Sequence, residues 1–277
     1  MATKKNTSKG RKAAPKLSAS TADKHVLYQK SVQAPEVELA FFDRVFRKVR
    51  GRKPLRLRED FCGTALLCAR WVESHPERVA TGIDIDKKVL RWGARHNVEP
   101  LGDAAERVTL LEQNVLVPAP GRHDVVCAFN FSYWIFRTRE QMRDYFRVVK
   151  RALGPDGLFF LDAYGGWESQ EPMEERRRVK GGFYYIWDQA RFDPINHVAK
   201  NYIHFEFQDG TRLDKAFAYE WRFWSLPELR ELLAEAGFGK VEVHWDCSDD
   251  EDVESYRPRL RAENQPGWLA YIVASVQ

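Results

Sequence analysis

The residues Leu55-Arg56-Leu57-Arg58-Glu59-Asp60-Phe61-Cys62-Gly63-Thr64-Ala65 decide how the chain reads. Leu55–Arg58 alternates apolar and charged side chains, the period of a short strand. A turn around Gly63 follows, and Ala65–Ser74 reads as a helix. Strand, glycine turn and helix in that order form the opening unit of an α/β fold. Gly63 lets the backbone approach a ligand and opens a helix N-terminus. Twenty-one residues later, Asp84 ends the next apolar run, Val79–Ile83. A carboxylate there can accept hydrogen bonds from both hydroxyls of a ribose.

The same alternation continues downstream. Lys87–His96 reads as a helix, Val108–Leu111 as a strand closed by Asn114, and Asp124–Phe129 as a strand apolar enough to be buried on both faces. A helix over Arg139–Leu153 stops at Gly154-Pro155, and Leu158–Asp162 is a further buried strand. This pattern predicts a doubly wound, mostly parallel sheet with right-handed crossovers. Upstream, from Tyr28, Val32, Pro35, Leu39, Phe42, Val45, Phe46 and Val49 recur every three or four residues, an apolar helical face ended by Gly51 and Pro54.

Residues 165–224 break the alternation. Phe183–Trp187, Val198–Phe207 and Lys215–Phe223 have period two, and Gln208-Asp209-Gly210 is a hairpin turn. An aromatic-rich antiparallel insertion is expected there. Ser225-Leu226-Pro227-Glu228 carries the N-cap, first-turn proline and third-position glutamate of a new helix, which ends at Gly237. Val241–Trp245 and Trp268–Val276 then supply two last strands, expected as a hairpin at the sheet edge. The chain divides accordingly into a disordered basic tail (1–24), a cofactor-binding α/β core (25–164), an antiparallel insertion or lid (165–224) and a segment completing the core (225–277).

Composition narrows the function class. Apolar residues make up 44% of the 277 and aromatics 13%, enough for a sizeable core. No apolar run reaches the roughly 18 residues of a membrane span, and the N-terminus has no hydrophobic signal core. Cys62, Cys68, Cys127 and Cys247 form no C-x-x-C pair, so reduced thiols and a cytoplasmic location are expected. The net charge is +4, but Lys4, Lys5, Lys9, Arg11, Lys12, Lys16 and Lys24 against Asp23 give residues 1–24 a charge of +6. The remaining residues sum to −2, so nucleic-acid contact is expected only through the tail.

Three features select among nucleoside cofactors. The chain lacks the G-x-G-x-x-G of dinucleotide sites and the G-x-x-x-x-G-K-[ST] of a P-loop. The acidic pair Glu59-Asp60 precedes Gly63, which repels phosphate and suits a cationic ligand. With these residues in view, the sequence resembles the class I S-adenosylmethionine-dependent methyltransferases, especially small-molecule members related to glycine N-methyltransferase. Glu59–Thr64 looks like that family's acidic-x-x-Cys-Gly-Thr-Gly loop, Gly82-Ile83-Asp84-Ile85-Asp86 like its second motif, and Gln113-Asn114-Val115 lies where it has Gly-Asp. His123–Val126 with Asn130-Phe131-Ser132 resembles its fourth strand and loop, and Leu153–Phe159 its Leu-x-Pro-Gly-Gly turn. The resemblance runs in order over residues 25–277. It implies a seven-stranded Rossmann-like sheet and methyl transfer from S-adenosylmethionine, leaving S-adenosylhomocysteine. Ala65 replaces the family's last loop glycine, which is acceptable only at negative φ.

The resemblance also implies roles. Tyr28, Glu59, Asp60, Cys62, Gly63, Thr64, Asp84, Ile85, Asn114, Val115 and Asn130 are expected around the cofactor, with Gln33 beside Tyr28 closing over the methionine moiety. Tyr133, Asp162 and Tyr164 stand at strand ends as candidate catalytic groups, Asp162 better suited to orienting a neighbour than to acting as base. Trp134 and the insertion's Trp187, Tyr202, Tyr219 and Arg222 are candidate acceptor contacts. Aromatic faces suit a cationic amine, and Arg222 suits a carboxylate. The alternative use of these rings is packing or a homodimer interface. The seven histidines show no metal-ligand spacing, so no metal is expected, and His204 and His244 read as strand residues. The acceptor is expected to be a small-molecule amine or hydroxyl. The alternatives are an RNA or protein methyltransferase using the tail, or a non-catalytic interaction protein.

Overall fold

A computed structural model describes residues 17–247 and 256–276. Most of the expected tail therefore lies outside the described residues. Its last part does not fit the expectation of disorder. Residues 18–21 form a turn, the Ala19 amide donates to the Thr211 hydroxyl at 3.0 Å, and Asp23 caps the first helix.

Two helices open the described chain, α1 (Lys24–Val32) and α2 (Pro35–Arg50), separated where Pro35 permits a new first turn but not a continuous one. The core then alternates β1 (Arg56–Asp60), α3 (Leu66–Glu73), β2 (Val79–Asp84), α4 (Lys87–Gly93), β3 (Val108–Glu112), β4 (His123–Ala128), α5 (Arg139–Ala152) and β5 (Leu153–Gly165). A capping box between Thr138 and Gln141 starts α5. The lid consists of β6 (Met173–Val179), β7 (Phe183–Asp193), β8 (Val198–Phe207) and β9 (Arg212–Arg222). Helix α6 (Leu226–Glu235), with the expected Ser225–Glu228 capping box, leads to β10 (Lys240–Trp245), β11 (Arg257–Pro258) and β12 (Trp268–Ser275).

The main sheet has the order β11-β10-β12-β5-β4-β1-β2-β3. Strands β1 to β5 run parallel to one another, while β12 runs antiparallel between β5 and β10. The Rossmann-like expectation holds, with the two-residue β11 as an eighth strand. The last two long strands correct another expectation. They pair with each other, but β12 is an interior strand that pairs with β5 from Leu158 to Gly165.

Two core clusters cover the two faces of this sheet, one around Tyr133, Phe146 and Trp224, the other around Phe42, Trp71 and Phe160. The lid is a separate four-stranded antiparallel sheet, β6-β7-β8-β9. Leu27 of α1 is buried against its inner face with Phe183, Ile203 and Phe205. Helix α1 is thereby held between lid and core. Cys62, Cys68 and Cys127 are buried free thiols and Cys247 is exposed. No helix among the described residues is long and apolar enough to cross a membrane.

Candidate active site

The glycine turn after β1 is built from alternating left-handed residues. Phe61, Gly63 and Ala65 have φ of 57°, 53° and 54°. Ala65 therefore does not meet the negative-φ condition set by its side chain. It occupies the left-handed region at a cost of roughly 1–2 kcal/mol. The turn over-determines it. The Ala65 amide donates to the Cys62 carbonyl at 2.8 Å, its carbonyl accepts from Ala69, and its methyl is fully buried. A Cβ on Gly63 would meet no atom within 4 Å, so this residue borders open space.

Asp84 ties the turn to β2. One oxygen accepts from the Gly63 amide at 2.8 Å and the other from the Asp86 amide at 2.9 Å. An ionised carboxylate has about four acceptor positions, so two remain for a ligand. Beside it, Ile85 is 71% exposed, an apolar surface at the strand end. Asn114 is exposed and uses Oδ1 to accept from the Leu116 amide, while Val115 is a core residue.

The pleat of β1 sends Glu59 and Asp60 to opposite faces. Glu59 accepts from the Cys68 amide at 3.3 Å and thiol at 3.1 Å. Burial, together with repulsion from Asp84 and Asp60, pushes its carboxyl up to about 8. Asp60 is paired with Arg58 at 2.7 Å and accepts from the Tyr145 hydroxyl at 2.9 Å. Both carboxylate oxygens are spent in the core, which corrects the expectation of a ligand contact. The Cys62 side chain is likewise in the core, and only its backbone shapes the turn. Two unforeseen side chains brace the turn: Gln29 of α1 donates to the Thr64 hydroxyl at 2.8 Å, and Asn97 donates to the Thr64 carbonyl at 2.8 Å.

After β4, Asn130 and Phe131 are consecutive left-handed residues. Their amides donate to the two oxygens of Asp162 at 2.7 and 3.0 Å. Asp162 is thus a positioning residue for this corner. Burial raises its carboxyl to about 7 against the pull of those amides. Tyr133 is fully buried and donates its hydroxyl to the Asp162 carbonyl, so it is a core residue with no access to a substrate. Trp134 is also fully buried, stacked on Tyr164 at 5.0 Å, and is corrected from acceptor contact to packing.

Between α1, the ends of β4 and β5, the lid and residues 266–269 lies a cavity of about 350 Å³. Tyr28 and Asn130, expected around the cofactor, line it together with Tyr164, Trp187, Tyr219, Trp221 and Trp268. The Tyr164 hydroxyl accepts from Asn201 at 3.3 Å. Tyr202 and Arg222 are corrected. Tyr202 alternates with Ile203, a cavity residue, and so faces the outer side of the lid, where Lys215 lies 4.7 Å over its ring. Arg222 pairs with Glu228 at 3.0 Å, donates to the Arg137 carbonyl and lies 3.8 Å over Trp224.

Adjacent residues of α1 serve both spaces, Tyr28 in the cavity and Gln29 on the turn. Near them Glu38, like Glu59, is raised to about 8 by burial and by neighbouring carboxylates. Among the described residues, no lysine, arginine or histidine lines the cavity. Gln33 holds a buried Oε1 with no hydrogen-bond partner.

A family profile described as a methyltransferase domain matches residues 62–159. The chain is 25% identical over 245 residues to the malonyl-[acyl-carrier protein] O-methyltransferase of Geobacter sulfurreducens, 88% of this chain and 73% of that protein. Residues 62–159 thus carry a methyltransferase domain, and S-adenosylmethionine-dependent methyl transfer is the activity it supports. An S-adenosylmethionine-dependent methyltransferase from Clostridium acetobutylicum shares the methyltransferase fold with a TM-score of 0.67, 16% identity, and coverage of 91% of this chain and 97% of that one. CalS10, an amino pentose methyltransferase from Micromonospora echinaspora, matches with a TM-score of 0.65, 14% identity, and coverage of 91% and 96%. The methyltransferase's own residues fit a cationic nucleoside cofactor. Buried carboxylates crowd the junction of turn and cavity without a cation among the lining, and the unpartnered Gln33 oxygen is an acceptor awaiting a donor.

One cluster lies elsewhere. Glu174, Asp188 and His204 bring ligand atoms within 4.8 Å of one another on the outer face of the lid. The three come from three strands, so linear spacing does not reveal them. Arg212 already supplies the cation there, paired with Glu174 and Asp214.

Proposed function

We propose that this methyltransferase transfers the sulfonium methyl of S-adenosylmethionine to a small molecule held in the aromatic cavity. The observation carrying this reading is the cavity itself, about 350 Å³ and roofed by the lid sheet. That size is at the lower end of the roughly 300–1,000 Å³ of ligand pockets. Relatives named for a small acceptor, such as the amino pentose methyltransferase, support it.

In this reading Gly63 and Thr64 pass the backbone close to the cofactor, Asp84 accepts from the ribose hydroxyls, Ile85 packs on the adenine and Asn114 accepts from its amino group. Gln33 accepts from the ammonium group, and Glu59 adds negative potential nearby as it ionises near pH 8. The bound cofactor supplies an already activated methyl, so the chain's work is alignment and exclusion of water. Asp162 sets the Asn130–Phe131 corner, and Tyr28, Tyr164, Trp187 and Tyr219 enclose the acceptor.

The test is a metabolite screen with isotope-labelled cofactor, run on the full chain and on a chain lacking residues 1–16. Labelling of a small molecule at equal rates by both supports the reading. Labelling confined to RNA or protein, and lost with the tail most at low salt, overturns it.

A further inference from the structure

Some of the cavity's polar groups are already spent. Gln189 donates to the Glu168 and Glu171 carbonyls at 2.9 and 2.8 Å and accepts from Trp187. The Ser169 hydroxyl donates to the Gly166 carbonyl at 2.6 Å. Arg177, on the lid's inner face, lies 5.1 Å over the Tyr185 ring and donates to the Ser31 carbonyl. What remains for a ligand is Asn130, the tyrosine hydroxyls, and the carboxylates of Glu168 and Glu175, both exposed residues of the lining.

The rest is ring surface. Tyr219 and Trp221 are stacked with centroids 4.3 Å apart, and Trp187 lies 6.3 Å from each. Such faces attract a cation by their quadrupole and an apolar body by burial. A polyhydroxylated body would instead set several hydroxyls against ring faces that offer them no hydrogen-bond partner.

Proton bookkeeping points the same way. A hydroxyl acceptor must lose its proton as it is methylated, so a base must lie within hydrogen-bond reach. Among the described residues no histidine lines the cavity, and its two free carboxylates, Glu168 and Glu175, are exposed. Both Asp162 oxygens accept backbone amides, and burial pushes the Tyr28, Tyr164 and Tyr219 hydroxyls up. A neutral amine needs no base in the transfer step itself.

We propose that the acceptor is an amine on an apolar or aromatic body, gathered as its ammonium by Glu168 and Glu175 and methylated on nitrogen with the body between Trp187, Tyr219 and Trp221. This rests on the small-molecule reading above and narrows it. The ammonium first gives a proton to solvent. The nitrogen lone pair then forms the bond to the methyl carbon while the carbon–sulfur bond breaks, its electron pair staying on sulfur. The positive charge passes from sulfonium to the methylated nitrogen, leaving S-adenosylhomocysteine.

The experiment has two arms on the full chain. In the first, phenethylamine and tryptamine are compared with 2-phenylethanol and tryptophol under saturating S-adenosylmethionine, with methylated product read by mass spectrometry. In the second, needing no turnover, quenching of tryptophan fluorescence compares trimethyl(2-phenylethyl)ammonium with its neutral carbon isostere. The expectation is methylation of amines only, and roughly tenfold tighter binding of the cation. Glu175→Gln and Trp187→Ala each weaken that binding several-fold without changing the heat of cofactor binding. Faster methylation of the alcohols, or equal binding of cation and isostere, overturns the proposal while leaving a small-molecule methyltransferase. Absent cofactor binding, or label found only in RNA or protein, marks failure of the underlying reading instead.

Discussion

Glu59 and Asp60 are neighbours in sequence with opposite tasks. Asp60 neutralises Arg58 in a fully buried pair, whereas Glu59 sits at the edge of the cofactor turn. Asp60→Asn leaves the Arg58 charge uncompensated in the core, and removing one partner of a buried pair costs about 3–5 kcal/mol. Urea denaturation should show that loss. Gly63→Val behaves in the reverse way. The left-handed φ of 53° and the open space beside the Cα mean a stability cost of only about 1–2 kcal/mol, while the branched side chain fills the space that the proposed function gives to the cofactor. Calorimetry should show no cofactor binding in a folded protein. The acidic-pair signature is legible in sequence, but which carboxylate faces the ligand depends on the pleat register of β1. Ala65 shows another limit: its left-handed φ depends on bonds from Cys62 and Ala69 that a residue-by-residue propensity does not contain.

At the scale of elements, the turn depends on helices that press on it from both sides. A Cβ on Gly93 of α4 would fall against the Thr64 carbonyl. Gly93→Ala is therefore expected to cost about 1–3 kcal/mol in thermal denaturation and to weaken cofactor binding as well, because α4 must shift the turn. On the other side, Gln29 of α1 holds the Thr64 hydroxyl. The strand–turn–helix order of β1, α3 and β2 is readable from the alternation of Leu55–Arg58, the glycine turn and the apolar run Val79–Ile83. The lid's strands were readable from period two, but their register was not. Tyr219 pairs with Asn201, so both face the cavity, while Tyr202 pairs with Ala218 and faces out. Period two within β9 alone separates Tyr219 and Trp221 from Arg222, a signal the sequence did contain. Tyr133 and Trp134 were misplaced because aromatic residues at a strand end look alike whether they line a site or fill the core behind it.

For the whole molecule, the dominant electrostatic feature is a set of carboxyls at the junction of turn and cavity that burial holds protonated up to near neutral pH. Glu38 and Glu59 are raised from 4.5 to about 8, and Asp162 from 3.8 to about 7. Between about pH 4.5 and 8 the folded protein holds protons on these groups that the unfolded chain has released. Stability of the cofactor-free protein therefore falls as pH rises through that window. A cationic ligand favours the ionised carboxylates, so its affinity rises over the same range and offsets the loss. Thermal denaturation at pH 5.5 and 8.5, with and without S-adenosylhomocysteine and S-adenosylmethionine, should show the largest ligand-induced rise at the higher pH. That rise should be greater for the sulfonium than for the neutral thioether.

The most direct test of the central claim is isothermal titration of the full chain with S-adenosylmethionine at pH 6.5 and 8.0. The structure predicts one site per chain, tighter at pH 8.0 and abolished by Gly63→Val. Absence of binding at millimolar cofactor, or binding that survives Gly63→Val unchanged, would contradict it.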